Sequence, residues 1–172
     1  MLKASYTPYI LHFKVPSGTS RGVLTQKETY FLKVWDEHNP DCFGIGECAL
    51  FKGLGADDRP DYEAMLQTVC RGIDQIDEID LSIWSSIRFG VETALLDLQH
   101  GGRRMICPSE FTAGKQAIEI NGLIWMGDKR TMASRIDKKL AAGFSCIKLK
   151  IGAIDFDDEC ELLAAIRRRY RR

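Results

Sequence analysis

Six residues near the C-terminal end of this chain, Ile147-Lys148-Leu149-Lys150-Ile151-Gly152, show the alternation of a β-strand. Side chains on a strand point alternately to its two faces, so the isoleucine and leucine residues of this run share one face. Lys148 and Lys150 share the opposite face, about 7 Å apart along the strand. The pattern predicts a strand that packs one face against a core and carries two lysines on the other.

Helical patterns flank this strand on both sides. One runs from Asp128 to Ala142 and ends at Gly143, and the other covers about Asp157 to Arg169. A strand between two helices belongs to a β/α series, whose parallel sheet is covered by helices on its outer face. The lysines would then point into a sheet or barrel interior, where mutual repulsion and confinement lower a lysine's pKa and prepare it to act as a base. A strand with one solvated face is the alternative for an isolated K-x-K motif.

The composition is that of an ordinary globular protein. The 172 residues are 45% hydrophobic, and 24 basic residues balance 24 acidic ones, which argues against a nucleic-acid partner. No apolar run reaches the length of a membrane span and no signal-peptide pattern opens the sequence, so the cytoplasm is the expected location. The six cysteines form no C-x-x-C pair, which favours free thiols in a reducing compartment over a disulfide scaffold.

The first fifty residues predict a small antiparallel meander. Its strands are expected at Tyr6 to Val15, Thr29 to Trp35 and Cys42 to Leu50. Two glycine-bearing loops are expected at residues 17–28 and 50–58.

Helical periodicity follows the meander. A first helix is expected to begin near Asp58 and Pro60, and a second near Ser85 with an end at His100-Gly101-Gly102. The first has a single apolar face at helical spacing, formed by Tyr62, Met65, Leu66, Val69, Ile73 and Ile76.

Beyond residue 117 strands and helices alternate. Ile118 to Met126 and Cys146 to Ile151 are predicted strands, and each precedes one of the two C-terminal helices described above. This β-α-β-α order is typical of a parallel α/β domain. Residues 101–117 carry glycines, a proline and mixed polarity, so a domain boundary is expected there.

Four segments spread over the chain carry a family resemblance. They are Gly44–Ala49, which contains G-x-G-E, Ile87–Leu98, Ile120–Gly127 and Gly143–Gly152. Together they resemble the enolase superfamily and, within it, the muconate-lactonizing-enzyme subgroup. Residues 121–127 taken with 143–155 are further similar to the o-succinylbenzoate synthase family of menaquinone biosynthesis.

The resemblance implies a fold class of two parts. An α+β capping domain, with an antiparallel meander plus helices, would cover residues 1–105. The first two β/α units of a TIM-type barrel would cover residues 106–172, so the barrel would be incomplete in this chain. The two loops of the cap would cover the mouth of the barrel, where Arg21, Lys27 and Lys52 either meet an anionic substrate or are ordinary surface charges.

The resemblance also implies a reaction and roles for the two lysines. Members of the superfamily remove a proton beside a carboxylate with a lysine or histidine base, and Mg²⁺ stabilises the resulting charge. Lys150 would be the catalytic acid/base, and Lys148 would tune it and bind the substrate carboxylate. The substrate would be a small anionic carboxylate, and the enzyme a carbon–oxygen lyase that dehydrates a cyclohexadiene carboxylate.

The metal ligands of the family lie on the third, fourth and fifth barrel strands, so they are expected beyond Arg172. A cluster of acidic side chains does occur in this chain, but at the start of a predicted helix, where capping and the helix dipole account for it. It comprises Asp155, Asp157, Asp158, Glu159 and Glu161. We therefore expect no metal site in this chain, and an inactive 172-residue fragment of a Mg²⁺-dependent enzyme.

Two other functions stay open at this point. A racemase, epimerase or cycloisomerase of the same superfamily also starts with proton abstraction, so Lys150 does not separate it from a dehydratase. A non-catalytic interaction module that reuses the capping fold would not depend on Lys150 at all. The sequence leaves the oligomeric state open.

Overall fold

The computed structural model describes residues 1–19, 22–152 and 154–169. The chain divides into two compact units, Met1–Lys14 with Thr25–Gln116 and Val15–Leu24 with Ala117–Arg172. The domain limits at residues 105 and 106 remain a prediction. Among the described helices, none combines the length and the apolar composition that crossing a membrane requires.

A three-stranded antiparallel sheet forms one layer of the first unit. Its strands β1 (Leu2–Thr19), β2 (Gly22–Asp36) and β3 (Asn39–Cys48) lie in that order. Tyr30 pairs with Cys48 and the register continues to Trp35 opposite Phe43. These positions agree with the predicted meander, although each strand has different ends.

The predicted loop at residues 17–28 is wrong. Residues 17–19 continue β1 and residues 22–28 begin β2, so the two strands form a long hairpin. Residues 20 and 21, and with them Arg21, lie outside the described part of the chain. Most residues along this arm are exposed, and these include apolar residues such as Phe13, Val15 and Val23.

Two helices form the second layer of this unit. They are α1 (Tyr62–Gly72), which a short 3₁₀ helix at Ile73–Glu78 extends, and α2 (Ser85–Gln99). The predicted start at Asp58 is wrong because its carboxylate accepts a hydrogen bond from the Gly53 N–H at 2.6 Å within the preceding loop. The predicted apolar face of α1 does pack into the core, which contains Leu32, Val34, Cys48, Leu50, Tyr62, Leu66, Val69, Ile73, Trp84, Ile87, Val91 and Ala94.

Glycines allow α2 to approach β3 at backbone distance. A Cβ atom added at Gly46 would lie 1.8 Å from the carbonyl oxygen of Gly90, and one at Gly44 would lie 1.8 Å from that of Ala94. At Gly90 an added Cβ would lie 2.4 Å from the Cys48 Sγ. The two glycines of the G-x-G-E segment are therefore packing residues.

A buried carboxylate closes the C-terminal end of α2. Asp97 accepts hydrogen bonds from the backbone N–H groups of Ile45 at 3.0 Å and Arg104 at 2.6 Å, and also pairs with the Arg104 guanidinium. Burial alone would raise the pKa of Asp97, but these hydrogen bonds outweigh it and hold the pKa below its ordinary value. The helix ends as predicted, with Gly101 and Gly102 at positive φ.

The second unit contains a parallel strand pair covered by two helices. The strands are β4 (Gly122–Ile124) and β5 (Ile147–Leu149), and the helices are α3 (Lys129–Ala141) and α4 (Phe156–Arg169). Asp128 caps α3 by accepting a hydrogen bond from the Thr131 N–H at 2.9 Å. The core of this unit is formed by Ile124, Met132, Ile136 and Leu162.

Both predicted strands of this unit are too long. Gly122 pairs with Ile147 and Ile124 with Leu149, and residues 118–121 are exposed without strand structure. A parallel ladder extends only as far as both partners run side by side, so apolar residues outside it stay irregular. The order of elements, an α+β unit followed by two β/α units, agrees with the predicted fold class.

Candidate functional site

The two lysines of the K-x-K motif lie on the face of β5 that points away from the core of the second unit. Ile147 and Leu149 pack against the buried cluster on the helical side. Lys148 is exposed and stands in register with Leu123 of β4, which is also exposed. The strand therefore separates an apolar face from a lysine face, as the alternation predicts.

Lys150 is more enclosed than Lys148. It follows the last residue of β5, and its backbone N–H donates to the carbonyl oxygen of Ile124 at 3.0 Å, which continues the ladder by one step. The side chain is half-buried, and its Nζ lies 5.9 Å from the centroid of the Trp125 indole ring. At this distance an ammonium group is attracted to the ring face.

Trp125 connects this lysine to the end of the β1–β2 hairpin, whose described residues 15–19 and 22–24 group with the second unit and are called the hairpin tip below. The indole Nε1–H donates to the carbonyl oxygen of Gly18 at 2.8 Å. The main chain of Trp125 is held as well, because Arg135 of α3 donates to its carbonyl oxygen at 3.0 Å and to that of Met126 at 3.1 Å.

Sequence reasoning missed this contact. Trp125 and Gly18 are 107 residues apart, and no periodic pattern links them. The one available signal was the position of Trp125 at the end of a predicted strand, two residues after Leu123. Alternation places such a residue on the same face as the lysines.

Four of the five acidic residues that follow β5 have carboxylates with described hydrogen-bonding or ionic partners. The buried Glu159 accepts from the Gly152 N–H at 2.6 Å, and Asp155 accepts from the Asp157 N–H at 2.9 Å. Asp158 and Glu161 pair with the Lys129 ammonium at 2.6 and 2.5 Å. The hydrogen bonds that the Lys129 ammonium donates to both carboxylates raise the pKa of Lys129.

These carboxylates do not fit a magnesium site. Their oxygens serve the start of α4 and its connection to α3. Within residues 1–19, 22–152 and 154–169, no group of three or more histidine, cysteine, aspartate or glutamate side chains is placed to hold a metal ion.

Two of the three cations predicted near the loops of the cap are paired within the first unit. Lys27 binds Glu47 at 2.9 Å, and the Thr29 hydroxyl donates to the same carboxylate at 2.7 Å. Burial alone would raise the pKa of Glu47, but these two hydrogen bonds lower it. Lys52 pairs with Glu28 at 2.5 Å. Glu47, the acidic residue of G-x-G-E, is therefore an ion-pair partner.

The loop at residues 50–58 is anchored at its end. The buried carboxylate of Asp57 accepts hydrogen bonds from the backbone N–H and the hydroxyl of Ser86, at 2.8 and 2.7 Å, and so caps α2. The Ser86 hydroxyl also lies 2.6 Å from the Tyr62 hydroxyl, whose pKa is raised by burial. These hydrogen bonds attach this end of the loop to the start of α2.

The chain is similar to an enzyme sequence over half of that enzyme's length. It is 38% identical to a curated o-succinylbenzoate synthase from Desulfotalea psychrophila (strain LSv54 / DSM 12343), in a match that covers 98% of this chain and 54% of that protein. The chain thus spans about half the length of this curated relative. No family model matches it.

Solved structures agree with the fold. The crystal structure of MenC from Desulfotalea psychrophila LSv54 has a TM-score of 0.74 at 33% identity, covering 98% of this chain and 53% of that one. The o-succinylbenzoate synthase from Thermosynechococcus elongatus BP-1, complexed with Mg in the active site, has a TM-score of 0.71 at 21% identity, covering 95% and 47%. This second likeness shows the fold alone.

The predicted resemblance to the enolase superfamily, and within it to o-succinylbenzoate synthase, is confirmed for the N-terminal portion of those proteins. The predicted fold class is confirmed with it. The three-stranded sheet and its helices form a capping domain, and the parallel strands that follow are part of a barrel.

Proposed function

We propose that this chain supplies the capping domain and the first two β/α units of a Mg²⁺-dependent o-succinylbenzoate synthase-like lyase. In this proposal Lys150 is the catalytic acid/base and Lys148 binds the substrate carboxylate. One observation carries it: the half-buried amine of Lys150 at the end of a parallel strand, on the face away from the core and against Trp125. As the resemblance implies, the enzyme would act in menaquinone biosynthesis in the cytoplasm.

The proposed reaction is an elimination of water from a hydroxylated cyclohexadiene carboxylate. The neutral amine of Lys150 takes the proton from the carbon beside the carboxylate and becomes an ammonium group. The C–O bond to the hydroxyl then breaks as the ring gains a double bond, and Lys150 returns the same proton to the departing oxygen. The products are a benzoate ring and water, and the lysine ends as it began.

Lys148 suits the binding of a carboxylate. It is exposed on the same strand face as Lys150, about 7 Å along it, and an ammonium group there offers charge-assisted hydrogen bonds to an anionic substrate. Because it sits beside the base and not on the reacting proton, its removal is expected to weaken binding more than the chemical step.

Mg²⁺ would be bound by the whole enzyme and not by this chain alone. The ion would stabilise the negative charge that develops on the substrate carboxylate. As the resemblance implies, its ligands would come from barrel strands beyond Arg172, and no carboxylate of this chain is assigned to the ion. A 172-residue preparation is then expected to bind Mg²⁺ weakly and to be inactive.

The test uses the protein encoded by the whole reading frame that contains this chain. Lys150→Ala is expected to lower the rate of o-succinylbenzoate formation by at least about a hundredfold, the scale of general acid–base catalysis, with an unchanged circular dichroism spectrum. Lys138→Ala, on the exposed surface of α3, is the matched control and should leave the rate unchanged. Substantial activity in Lys150→Ala would refute the assignment.

A second assay separates the dehydratase from the other reactions of the superfamily. Substrates of racemases and epimerases incubated in D₂O would gain deuterium at the α-carbon if the enzyme catalyses their proton exchange. We expect dehydration of the cyclohexadiene substrate to exceed that exchange. Exchange that depends on Lys150 without dehydration would favour the racemase or epimerase alternative.

A further inference from the structure

We propose that Trp125 is a positioning residue that couples the tip of the β1–β2 hairpin to Lys150. The indole uses its N–H to hold the tip and its ring face to hold the ammonium group. Any effect of this coupling on catalysis rests on the proposed function. The coupling itself concerns only contacts within the second unit.

The position of the indole is set from two sides. Arg135 of α3 donates to the carbonyl oxygens of Trp125 and Met126, which fixes the main chain just after β4. The Nε1–H then reaches the Gly18 carbonyl at 2.8 Å. A buried indole N–H normally has a hydrogen-bond partner, so moving the tip away would leave this donor without its protein acceptor.

Two apolar side chains of the hairpin tip are largely exposed. Val15 and Val23, on its two strands, are 70% and 67% exposed. The hydrogen bond from the partly buried indole adds a contact to this segment beyond the pairing of β1 with β2. The tip is expected to open more often once that bond is removed.

Both the main chain and the side chain of Lys150 contact the end of β4 or the residue that follows it. Its backbone N–H bonds to the carbonyl of Ile124, and its ammonium lies over the ring of the next residue, Trp125. Tryptophan is the strongest cation–π partner among the aromatic residues, and the contact is stronger where solvent is partly excluded. These two contacts hold the Lys150 amine beside Trp125, on the face of β5 that points away from the core.

Two substitutions distinguish the effect of the indole N–H from that of the aromatic ring face. Trp125→Phe keeps an aromatic face but loses the N–H donor, and Trp125→Leu loses both. Trp35→Phe is the matched control, because Trp35 lies on β2 and carries Lys33 on its ring at 5.2 Å. All three variants are made in the 172-residue chain, and Trp125→Phe remains informative if Trp125→Leu does not fold.

The first readout is amide hydrogen exchange in residues 15–19 and 22–24. Trp125→Phe is expected to accelerate it roughly three- to tenfold, the factor expected for one hydrogen bond. Trp35→Phe should leave it unchanged. Equal exchange of the tip in the parent chain and Trp125→Phe would overturn the proposed hold on the hairpin.

The second readout is the rate at which an acylating reagent labels Lys150 relative to Lys148, measured by mass spectrometry. Trp125→Leu should raise this ratio about two- to fivefold, the scale of a cation–π contact, while Trp125→Phe should change it less than twofold. An unchanged ratio in a folded Trp125→Leu variant would overturn the proposed hold on the amine. Neither readout requires enzymatic activity.

The catalytic consequence is measured in the protein from the whole reading frame. Trp125→Phe should raise KM with little change in kcat, and Trp125→Leu should lower kcat as well. Equal losses in kcat for both variants would contradict separate roles of the N–H and the ring. If Lys150→Ala stays active, the proposed function fails, while the exchange and labelling results still decide the coupling.

Discussion

The two units of this chain pack their strands in different ways. In the first, Leu32 and Val34 of β2 are fully buried, and β3 contacts α2 at backbone distance through Gly46 and Gly90. In the second, β4 and β5 bury the side that faces the helices. Leu123, on the other side, is 39% exposed, and Phe156 at the start of α4 is 74% exposed.

This difference shows where stability and chemistry lie in the molecule. In the first unit β3 and α2 are closely packed, so the stability of this layer should depend on contacts that admit no additional atoms. The second unit leaves one strand face open, and that face carries the lysines. A strand face with two amines would be unfavourable inside an apolar core, but its positive charge suits the binding of an anionic ligand.

The largest expected effect tests the closed unit. Gly46→Ala places a Cβ at 1.8 Å from the Gly90 carbonyl oxygen, a backbone atom that cannot move without shifting α2. We expect the free energy of unfolding to fall by about 3 kcal/mol or more, the upper range of overpacking. Urea denaturation followed by far-UV circular dichroism measures it.

Gly18→Ala is the control for this substitution. An added Cβ there would meet no atom within 4 Å, and the Gly18 carbonyl that accepts from Trp125 is retained. Its stability should stay within about 0.5 kcal/mol of the parent. Comparable losses in the two variants would contradict the claim that close packing distinguishes the first unit.

A smaller effect is expected at the buried carboxylate of Asp97. Its folded pKa lies below the ordinary value of 3.8, so the ionised form stabilises the fold above that pH. The contribution is lost as the pH falls from 3.8 through the lower folded pKa. Asp97→Asn should therefore cost about 2 kcal/mol at pH 7, the scale of hydrogen bonds to a charged group.

The pH dependence provides the check on Asp97. The difference in unfolding free energy between the parent and Asp97→Asn should shrink steadily below pH 4. Asp61→Asn, at an exposed carboxylate beside Arg59, serves as the control and should show a much smaller difference at pH 7. If the difference in unfolding free energy between the parent and Asp97→Asn grew on acidification, the stabilising role of the ionised Asp97 would be contradicted.

The smallest effect is expected for the ion pairs between α3 and α4 in the second unit. Lys129 holds Asp158 and Glu161, but all three side chains are at least 41% exposed. Lys129→Ala should lower Tm by about 2 °C or less, because exposed ion pairs contribute little. The effect should fade in 1 M salt, where the Debye length is about 3 Å. A larger, salt-independent loss would show that this charge cluster organises the unit.

Regular amphipathic patterns were sufficient to predict much of the fold. The apolar face predicted for the first helix packs into the core, where Leu66 and Val69 are buried, and α3 begins one residue after its predicted start at Asp128. The hairpin arm was missed because Ser17-Gly18-Thr19 has the composition of a turn, whereas its strand structure depends on pairing with the neighbouring strand. Local composition does not encode that pairing.

The candidate site was predictable in part for the same reason. Alternation alone separated the lysine face of β5 from its apolar face, because strand geometry has a fixed period. The contact of Trp125 with Gly18 joins residues 107 apart and required the three-dimensional arrangement. The partners of the acidic residues after β5 were also visible only in the structure, although helix capping had been expected for them.

The most direct measurement of the central claim is dehydratase activity in a fusion protein. The 172-residue chain would replace the matching N-terminal half of the Desulfotalea psychrophila o-succinylbenzoate synthase, and o-succinylbenzoate formation would be measured with Mg²⁺ present. We predict activity in the fusion, none in the 172-residue chain alone, and none in the fusion that carries Lys150→Ala. A folded fusion that stays active with Lys150→Ala would contradict the account.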